Sequence, residues 1–423
     1  MPNRLTSWII IALVLGILSG YVTFAYFPES SGSFAELTAL LPFVFLRLIK
    51  MIIAPLVFST LVVGIGKMGD IVTVGRVGGK ALAWFIGASV LSLTLGLILV
   101  QLFEPGRAMS LPIPDASTTS GVQAGALTLK GFLTHLVPAS VIESMANNEI
   151  LHIVVFSLFF GVGLAALGER SKTLIESLDA VAHIMLKVTG YVMLFAPLAV
   201  FGALASTVAK EGLGIIKVYG LFMGEFYFAL LVLWGLLILL GGVVVGPRIL
   251  QLIRRVREPT ILAFSTASSE AAYPKTLEEL ERFGCSNRIA SFVLPVGYSF
   301  NLDGSMMYCT FAVMFIAQVY GIELSIAQQI LMVAILLFTS KGIAGVPRAS
   351  LVVIAATLPH FGIPEAGMVL LLGIDHFLDM GRSATNVIGN SIATAVVSKW
   401  EGELQTSSTV DEPATVPSER PLS

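Results

Sequence analysis

The sequence predicts an all-α membrane protein with eight transmembrane helices and two re-entrant helical hairpins that form inverted repeats. Hydrophobic residues make up 56% of the 423 positions, charged residues only 12%, and the mean hydropathy is +0.89, which is too apolar for a soluble globule. Apolar runs of the roughly 20 residues that a helix needs to cross a bilayer recur along the chain. In the second half, two apolar segments with polar centres each precede a helix with a polar interruption.

Six helices are predicted first, and the fourth is expected to be broken. They span 6–28, 37–66, 80–103, 131–168, 173–208 and 214–245. Pro138 and the polar stretch 143–149 interrupt the fourth helix, because proline removes a helical hydrogen bond. The apolar run of the first helix is too long for a signal-peptide core, so we expect that helix to be retained. A Pro-, Gly-, Ser- and Thr-rich loop at 105–130 is predicted to be extracellular.

Two later segments, 249–284 and 321–362, are predicted to be hairpins that enter the membrane and return on the same side. Each has a polar centre, at Ser265–Glu270 and at Thr339–Ser350, and apolar arms too short to cross alone. A helix follows each hairpin, within 285–320 and 363–400, and polar residues interrupt it. Paired interrupted segments of this kind point to the central binding site of a transporter.

Basic residues indicate the orientation of the chain, because cytoplasmic loops carry an excess of them. With a cytoplasmic N-terminus and one hairpin entering from each side, most of them fall on or near the inner face. These are Arg4, Lys67, Arg76, Lys80, Arg170, Lys172, Arg248, Arg254, Arg255, Arg257, Lys275, Arg282, Arg288 and Lys399, against Arg107, Lys130, Lys210 and Lys217 outside. This predicts two cytoplasmic termini and a disordered, cytoplasmic tail at 401–423.

The last predicted helix carries an unusual polar stripe, which we take as the centre of the protein. Asp375, Asp379, Arg382, Asn386 and Asn390 are spaced by 4, 3, 4 and 4 residues. At about 100° per residue they fall within an arc of roughly 80°. An ionisable group at bilayer depth costs about 3 kcal/mol even on lenient scales, so such groups usually have a function. The alternative is a polar seam between packed helices.

The stripe and the hairpin tips together suit an acidic amino acid. Arg382 is able to hold a carboxylate by a two-pronged contact, and Asp379, one turn away, to neutralise an ammonium group. A plain dicarboxylate would leave Asp379 unpaired and repelling. Ser268 and Ser269 offer hydroxyls at the first tip, and Pro347 with its neighbouring glycines gives the second tip a backbone suited to a gate.

Asn301-Leu-Asp-Gly304 lies in the interruption of the seventh helix and predicts a cation site. Asn301 and Gly304 favour an unwound turn that frees carbonyl oxygens, and Asp303 adds a carboxylate. Oxygen ligands of this kind suit a hard cation such as sodium. In a soluble protein the same four residues would be read as a turn.

Four motifs in this order resemble the dicarboxylate/amino acid:cation symporter family, the glutamate transporter homologues. They are Asn301-Leu-Asp-Gly-Ser305, Ser268-Ser-Glu270, Ala344-Gly-Val-Pro347 and Asp375…Asp379-Met-Gly-Arg-Ser…Asn386. The resemblance implies a homotrimer in which a transport domain moves like an elevator against a fixed scaffold. The scaffold would comprise 1–79 and 131–208, and the transport domain 80–104, 209–248, 249–284, 285–320, 321–362 and 363–400.

The resemblance also implies roles for single residues. Arg382 would bind the side-chain carboxylate of the substrate and Asp379 its amino group. The remaining substrate contacts would come from Asn386, Ser383, Ser268, Ser269, Gly345, Val346 and Pro347. Positions lining cation sites would be Gly297, Ser299, Asn301, Asp303, Asn386, Asn390 and Ser89.

Departures from the family pattern concern the coupling ion. Sodium-coupled relatives carry Asp at the position of Asn390, a Thr ligand where this chain has Ala88, and Gln or Glu at the position of Cys309. Glu270 at the first tip instead resembles bacterial proton-coupled glutamate carriers, and burial of a carboxyl raises its pKa into the working range. We therefore expect proton coupling with Glu270 as the proton site, and sodium coupling is the alternative.

The expected function is symport of glutamate or aspartate in a bacterial inner membrane, with C4-dicarboxylates as the second substrate class. The sequence predicts neither an enzyme nor a cofactor other than the coupling proton or sodium ion. A net charge of −2 indicates no nucleic-acid partner, and Cys285 and Cys309 form neither a disulfide framework nor a metal motif. A passive channel would need polar stripes on several helices, and no motif places a base beside Ser268 or Ser269 for an intramembrane hydrolase.

Overall fold

The computed structural model describes residues 2–68, 71–108, 134, 137–212, 214–340 and 349–405. Regular secondary structure in these residues is helical, apart from one isolated bridge between Cys285 and Leu404. Six helical stretches among the described residues are long and apolar enough to cross a membrane. The prediction of an all-α membrane protein is therefore confirmed. The second hairpin tip at 341–348, most of the predicted extracellular loop and the tail beyond 405 lie outside the described residues.

The first half of the chain forms nine helices in the described ranges. They are α1 (Pro2–Tyr26), α2 (Pro28–Met68), α3 (Ile71–Phe103), α4 (Pro105–Ala108), α5 (Val141–Asn147), α6 (Ile150–Leu167), α7 (Lys172–Met193), α8 (Ala196–Glu211) and α9 (Gly214–Val245). The fourth predicted helix is indeed interrupted, at Asn148, whose left-handed backbone (φ 55°) ends α5.

The second half forms the two predicted hairpins and the two interrupted helices. Its helices are α10 (Ile249–Arg255), α11 (Arg257–Thr266), α12 (Tyr273–Phe283), α13 (Asn287–Phe300), α14 (Asp303–Val319), α15 (Ile326–Thr339), α16 (Ala349–Thr357), α17 (Val369–Leu372) and α18 (Asp375–Trp400). The arms of the first hairpin are α10–α11 and α12, and those of the second are α15 and α16. The order of hairpin followed by interrupted helix occurs twice, as predicted.

Several predicted helices have different bounds in the structure, and in two of them proline explains the difference. The fifth, predicted as uninterrupted over 173–208, is broken at Leu194 and Phe195, because the ring of Pro197 is incompatible with a helical carbonyl four residues earlier. The second helix begins at Pro28 rather than at residue 37, which is consistent with the preference of proline for the first helical position.

The polar stretch that begins at Asp375 was predicted to lie in the middle of a broken helix, and this prediction was wrong. The break falls earlier, at Gly373 and Ile374, and Asp375 is the first residue of an unbroken α18. A carboxylate in a first helical turn is stabilised by the positive end of the helix dipole. Asp375 therefore helps to begin the helix that it was expected to interrupt.

The helices pack in two sets. In the first set, α1 and α2 lie along α8, and α2 also packs on α6 and α7. In the second set, α18 is surrounded by α9, α11, α13 and α14, and α3 packs on α14. The sets meet mainly where α13 packs on α2. The division of the chain into a scaffold and a transport domain, and the motion of one against the other, stay predictions.

Residues 401–405, directly after α18, hold three parts of the second set together. Glu401 accepts hydrogen bonds from Arg76 (Nη2, 2.9 Å) and Lys80 (2.7 Å) on α3. Glu403 accepts one from Ser286 (2.5 Å) before α13, and the backbone N–H of Gln405 donates to the carbonyl of Gly284 (2.9 Å). Residues 401–405 thus tie α18 to α3 and to the junction of α12 and α13.

The contact of Glu401 predicts a pH-dependent contribution to stability. The hydrogen bond from Arg76, supported by Lys80, lowers the pKa of Glu401 below its ordinary value of 4.5. Because the folded state holds the ionised form, the contribution is present above the ordinary pKa and is lost as the pH falls through the lowered one. We expect Glu401→Gln to lower the thermal midpoint of the purified protein by about 1–3 °C at pH 7, since ion pairs whose basic partners are exposed to solvent are weak. The difference from wild type should shrink in a scan below pH 4.5, and a difference that does not depend on pH would contradict it.

Candidate functional site

The polar stripe of α18 faces the interior, and its charged residues are in contact. Arg382 is a charged residue within α18, and it is only 1% exposed. Its Nη2 lies 3.1 Å from Oδ1 of Asp375 and 2.9 Å from Oδ1 of Asp379, and its Nε donates to Asp379 (3.1 Å). The helical spacing predicted this contact, because residues three, four and seven positions apart share one face. Two carboxylates thus contact one buried guanidinium.

The two carboxylates differ in their access to solvent. The side chain of Asp375 is 2% exposed, whereas that of Asp379 is 32% exposed. Asp375 is therefore a fixed counter-ion within the protein. Asp379 is the more exposed of the two counter-ions of Arg382.

Helix α14 supplies the other wall beside Arg382. The guanidinium lies over the ring of Tyr308, with Cζ 4.1 Å from the ring centroid, and the ring of Phe226 of α9 packs against Tyr308 at 5.6 Å. Nη1 of Arg382 is buried and makes no hydrogen bond to any described residue. Among the described residues, Arg382 is thus a stacked arginine with one unsatisfied nitrogen and one partly exposed counter-ion.

A second polar cluster lies at the junction of α13 and α14. The helical hydrogen bonding stops at Phe300, and the chain passes Asn301 and Leu302 in non-helical conformations before α14 begins. Nδ2 of Asn301 donates to Oδ2 of Asp303 (3.1 Å) and to Oδ1 of Asn390 (3.2 Å). The structure therefore brings the predicted Asn-x-Asp-Gly turn against the end of the stripe on α18.

Neighbouring helices complete this cluster, and glycines let them come close. Oδ1 of Asn386 accepts from the backbone N–H of Gly304 (3.0 Å), and Ser92 of α3 lies 3.4 Å from Oδ1 of Asp303. A Cβ atom on Gly389 would lie 1.9 Å from Asp303, and one on Gly297 would lie 2.2 Å from Asn390. Alanine at either glycine would therefore push an amide or carboxylate out of the cluster.

The cluster offers oxygen atoms for a monovalent cation, but only one carboxylate. Oδ1 of Asn301 and Oγ of Ser299 are buried and without hydrogen-bond partners among the described residues. Ser89 donates to the carbonyl of Phe300 at a long 3.5 Å. Nδ2 of Asn301 already binds two of the oxygens, and Asn390 adds no charge. The donor set fits a hard cation in type and is poor in negative charge for one. In the described residues, no group of three His, Cys, Asp or Glu side chains is placed to bind a metal.

The first hairpin tip lies against α18 through α11, and its serines are half-buried. The left-handed conformation of Ala267 (φ 49°) ends α11, and Oγ of Ser268 accepts from the backbone N–H of Ala271 (3.2 Å). None of the described hydrogen bonds joins Ser268 or Ser269 to Arg382. Glu270 begins a short 3-10 turn and lies within electrostatic reach of Lys50 on α2, the helix of the other packing set.

Some predicted residues have no contact that tests their role. Gly345, Val346 and Pro347 lie outside the described residues. Ser383 is buried at 4% exposure beside Arg382, and none of its described contacts is a hydrogen bond. Conversely, the sequence reasoning missed Tyr308 and Ser92. A signal for Ser92 existed, since it follows Ser89 by three residues on one helical face. Tyr308 resembled any aromatic residue in an apolar helix.

A multi-pass helical protein with a buried charged site between a re-entrant hairpin and interrupted helices has the architecture of a secondary transporter. Comparisons with known proteins agree. The profile of the sodium:dicarboxylate symporter family matches residues 5–400. The proton/sodium-glutamate symport protein of Geobacillus stearothermophilus is 41% identical over 410 residues, which cover 94% of each chain. C4-dicarboxylate transport proteins of Bacillus subtilis and Cupriavidus necator are 37% and 40% identical and align with 97% and 94% of this chain, and with 96% and 91% of their own.

The chain belongs to the sodium:dicarboxylate symporter family. This confirms the resemblance seen in its four motifs. The family consists of transporters, so the expectation that the protein is not an enzyme is also confirmed.

Proposed function

We propose that the protein is a secondary symporter that carries glutamate or aspartate together with a coupling cation, a proton being favoured. The observation that carries the proposal is the environment of Arg382: buried, stacked on Tyr308, and bordered by one closed and one open carboxylate. Nη1 of Arg382 would hold the side-chain carboxylate of the substrate, together with Nη2 and Nε, the two nitrogens that contact Asp379. Asp379, turned toward solvent, would then meet the ammonium group.

C4-dicarboxylates are the second candidate substrate class, and the names of some relatives fit them. Similar proteins from Bacillus subtilis and Cupriavidus necator are described as C4-dicarboxylate transport proteins. A dicarboxylate would also bind Arg382, but it offers no cation to Asp379. The semi-exposed carboxylate therefore favours the amino acid, because a second anion beside Asp379 would be repelled.

The α-carboxylate of the substrate would lie nearer to Asn386 and the hairpin tips. Nδ2 of Asn386 lies 3.3 Å from Oγ of Ser305 and is close to the beginning of α14, where the positive end of the helix dipole favours anions. Ser268 and Ser269 would close this end from the first hairpin, and the second hairpin would act as the gate. Motion of α3, α9, α13, α14, α18 and the hairpins against α1, α2 and α5–α8 would carry the site across the membrane.

The favoured coupling ion is the proton. Among the described residues of the cluster around Asn301, Asp303 is the one carboxylate, and Asn301 already donates an amide N–H to it. Glu270 at the half-buried first tip is our proton candidate, with Lys50 as the cationic group in reach. The name of the relative from Geobacillus stearothermophilus includes both proton and sodium, so sodium coupling through Asn301, Asp303 and Ser299 is the alternative.

Uptake under separately imposed ion gradients tests this function. Purified protein in liposomes would be given labelled glutamate with an inward proton gradient alone or an inward sodium gradient alone. We expect accumulation with the proton gradient in the complete absence of sodium, and little with sodium alone. Accumulation that needs sodium would contradict proton coupling, and no accumulation of glutamate or aspartate under either gradient would contradict the function itself.

Asn390→Asp should increase the dependence on sodium. The variant adds a second carboxylate to the cluster around Asn301. It replaces the side-chain amide of Asn390, whose Oδ1 lies 3.2 Å from Nδ2 of Asn301. We expect about a tenfold or greater stimulation of glutamate uptake by 100 mM sodium in the variant, since ligand charge governs affinity for hard cations. Thr394→Val, one turn along α18, removes a hydroxyl that bonds only the carbonyl of Asn390 and is the control. Equal sodium responses in the wild type and Asn390→Asp would show that this cluster does not bind the coupling ion.

The assembly and cellular location are further proposals. We infer a homotrimer held together by the set that contains α1 and α2, with both termini in the cytoplasm of a bacterium and the chain in its inner membrane. The similarity to bacterial transporters supports the location. Many large apolar side chains are exposed on α1 and α2, which suits contact with lipid and with other protomers.

A further inference from the structure

The back of α18 is held by α9 through two hydrogen bonds that the transport site itself does not use. Oη of Tyr227 donates to the backbone carbonyl of Phe377 (2.5 Å), and Nε1 of Trp234 donates to Oγ1 of Thr385 (2.8 Å). Thr385 in turn donates to the carbonyl of Gly381 (2.8 Å). The two donors are seven residues apart on α9, and their acceptors are eight residues apart on α18.

These acceptors lie on the side of α18 that faces away from the polar stripe. At about 100° per residue, positions 377, 381 and 385 share an arc of roughly 80°, whose centre is about 140° from the centre of the stripe. Two fixed points about 12 Å apart on one face determine both the rotation and the axial position of a helix. The bonds on the back therefore determine where Arg382 points on the front.

The close approach of the two helices supports the same reading. A Cβ atom on Gly381 would lie 2.8 Å from Cδ1 of Leu230 and 2.9 Å from Cε1 of Tyr227. Gly381 directly precedes Arg382 in sequence, so α9 contacts α18 about 100° around the helix from the guanidinium. Helix α9 also reaches the front of the site, where Phe226 packs on Tyr308 and Tyr308 stacks on Arg382.

We propose that Tyr227 and Trp234 are positioning residues that set the register of α18, and thereby the fit of Arg382 to the carboxylate of the substrate. The proposal rests on the proposed function, because it requires an acidic substrate at Arg382. It assigns α9 a role in substrate affinity without any contact to the substrate. A shift of the helix by a fraction of a turn would misalign the planar guanidinium with a carboxylate, and that two-pronged contact depends strongly on geometry.

The test compares the KM and the maximal rate of glutamate uptake in liposomes for three variants that each remove a hydrogen-bonding group. They are Tyr227→Phe, Trp234→Phe and Thr385→Val. We expect each to raise KM about two- to tenfold, the range that corresponds to one buried hydrogen bond. Trp234→Phe and Thr385→Val remove the same hydrogen bond, so the double variant should raise KM no more than either single variant. Tyr227→Phe and Thr385→Val remove different bonds, so their fold-increases in KM should multiply in the double variant.

Thr357→Val is the matched control, since the described hydrogen bond of this buried hydroxyl goes to the carbonyl of Val353 in its own helix (2.7 Å). It should leave KM unchanged. If the three variants lower only the maximal rate and the amount of folded protein, with KM as in the wild type, the bonds are merely structural and the proposal is wrong. If the wild type takes up no acidic solute, the proposed function fails, and the positioning role fails with it.

Discussion

Replacing Arg382 by cysteine should abolish uptake of glutamate and aspartate. Arg382 provides the buried guanidinium of the site. Its charge-assisted hydrogen bonds to a carboxylate are stronger than those between neutral groups, and a cysteine side chain makes none of them. We expect initial rates of uptake to fall more than about a hundredfold. The selectivity that is left should shift toward neutral amino acids, because Asp379 still offers a partner for an ammonium group. Uptake and competition assays in liposomes measure both effects.

The cysteine variant leaves Asp375 buried without its cationic partner, which destabilises a protein by about 3–5 kcal/mol. Arg382→Lys separates loss of folding from loss of the site. Lysine keeps the positive charge for Asp375 and Asp379 but presents a point charge in place of a planar, two-pronged group. We expect this variant to purify as the wild type does in size-exclusion chromatography and still to transport glutamate at least about tenfold less well. Unchanged glutamate uptake in either variant would remove Arg382 from the site.

Replacing Asp379 by asparagine should change which acidic solute is preferred. The 32% exposure of its side chain makes Asp379 the carboxylate that a substrate ammonium can reach. Loss of one charge-assisted bond should raise the KM for glutamate by about one to two orders of magnitude. Succinate offers no ammonium and is repelled by the native carboxylate, so its uptake should be spared or improved. Parallel measurements with labelled glutamate and labelled succinate give the ratio of the two uptake rates directly.

Asp375→Asn provides the matched control for this prediction. Both carboxylates bind Nη2 of Arg382, but that of Asp375 is only 2% exposed and supports the guanidinium from inside the protein. Removal of this carboxylate should therefore reduce the uptake of glutamate and the uptake of succinate to the same extent. If Asp379→Asn and Asp375→Asn give the same ratio of glutamate to succinate uptake, Asp379 does not recognise the amino group.

What the sequence predicted correctly about the site is what one helix determines by itself. Asp375, Asp379 and Arg382 had to meet because their spacing places them on one face of α18. The contact between Asn301 and Asn390 joins residues 89 positions apart, and only the resemblance to a family placed them together. Spacing along a chain does not specify which helix packs against which.

What the sequence did not reveal falls into two kinds. Tyr308, Tyr227 and Trp234 lie in apolar helices, where an aromatic residue is usually part of the core, and their hydrogen-bonding or stacking partners belong to other helices. The bounds of elements were also misjudged, as at Leu194 and at Asp375, because local breaks depend on single residues such as Pro197. Arms too short to cross the membrane leave few alternatives to the predicted hairpins, and each of the two segments does contain a pair of short helical arms.

Counterflow is the most direct measurement of whether the stripe on α18 is a carrier site for acidic solutes. Liposomes containing the protein would be loaded with one unlabelled solute at high concentration, diluted, and supplied with a trace of labelled glutamate, with no ion gradient imposed. With glutamate, aspartate or succinate inside, we predict a transient accumulation of label above its equilibrium level, and none with leucine or glutamine inside. Label that only equilibrates, whichever solute is inside, would contradict a carrier whose site binds acidic solutes at Arg382.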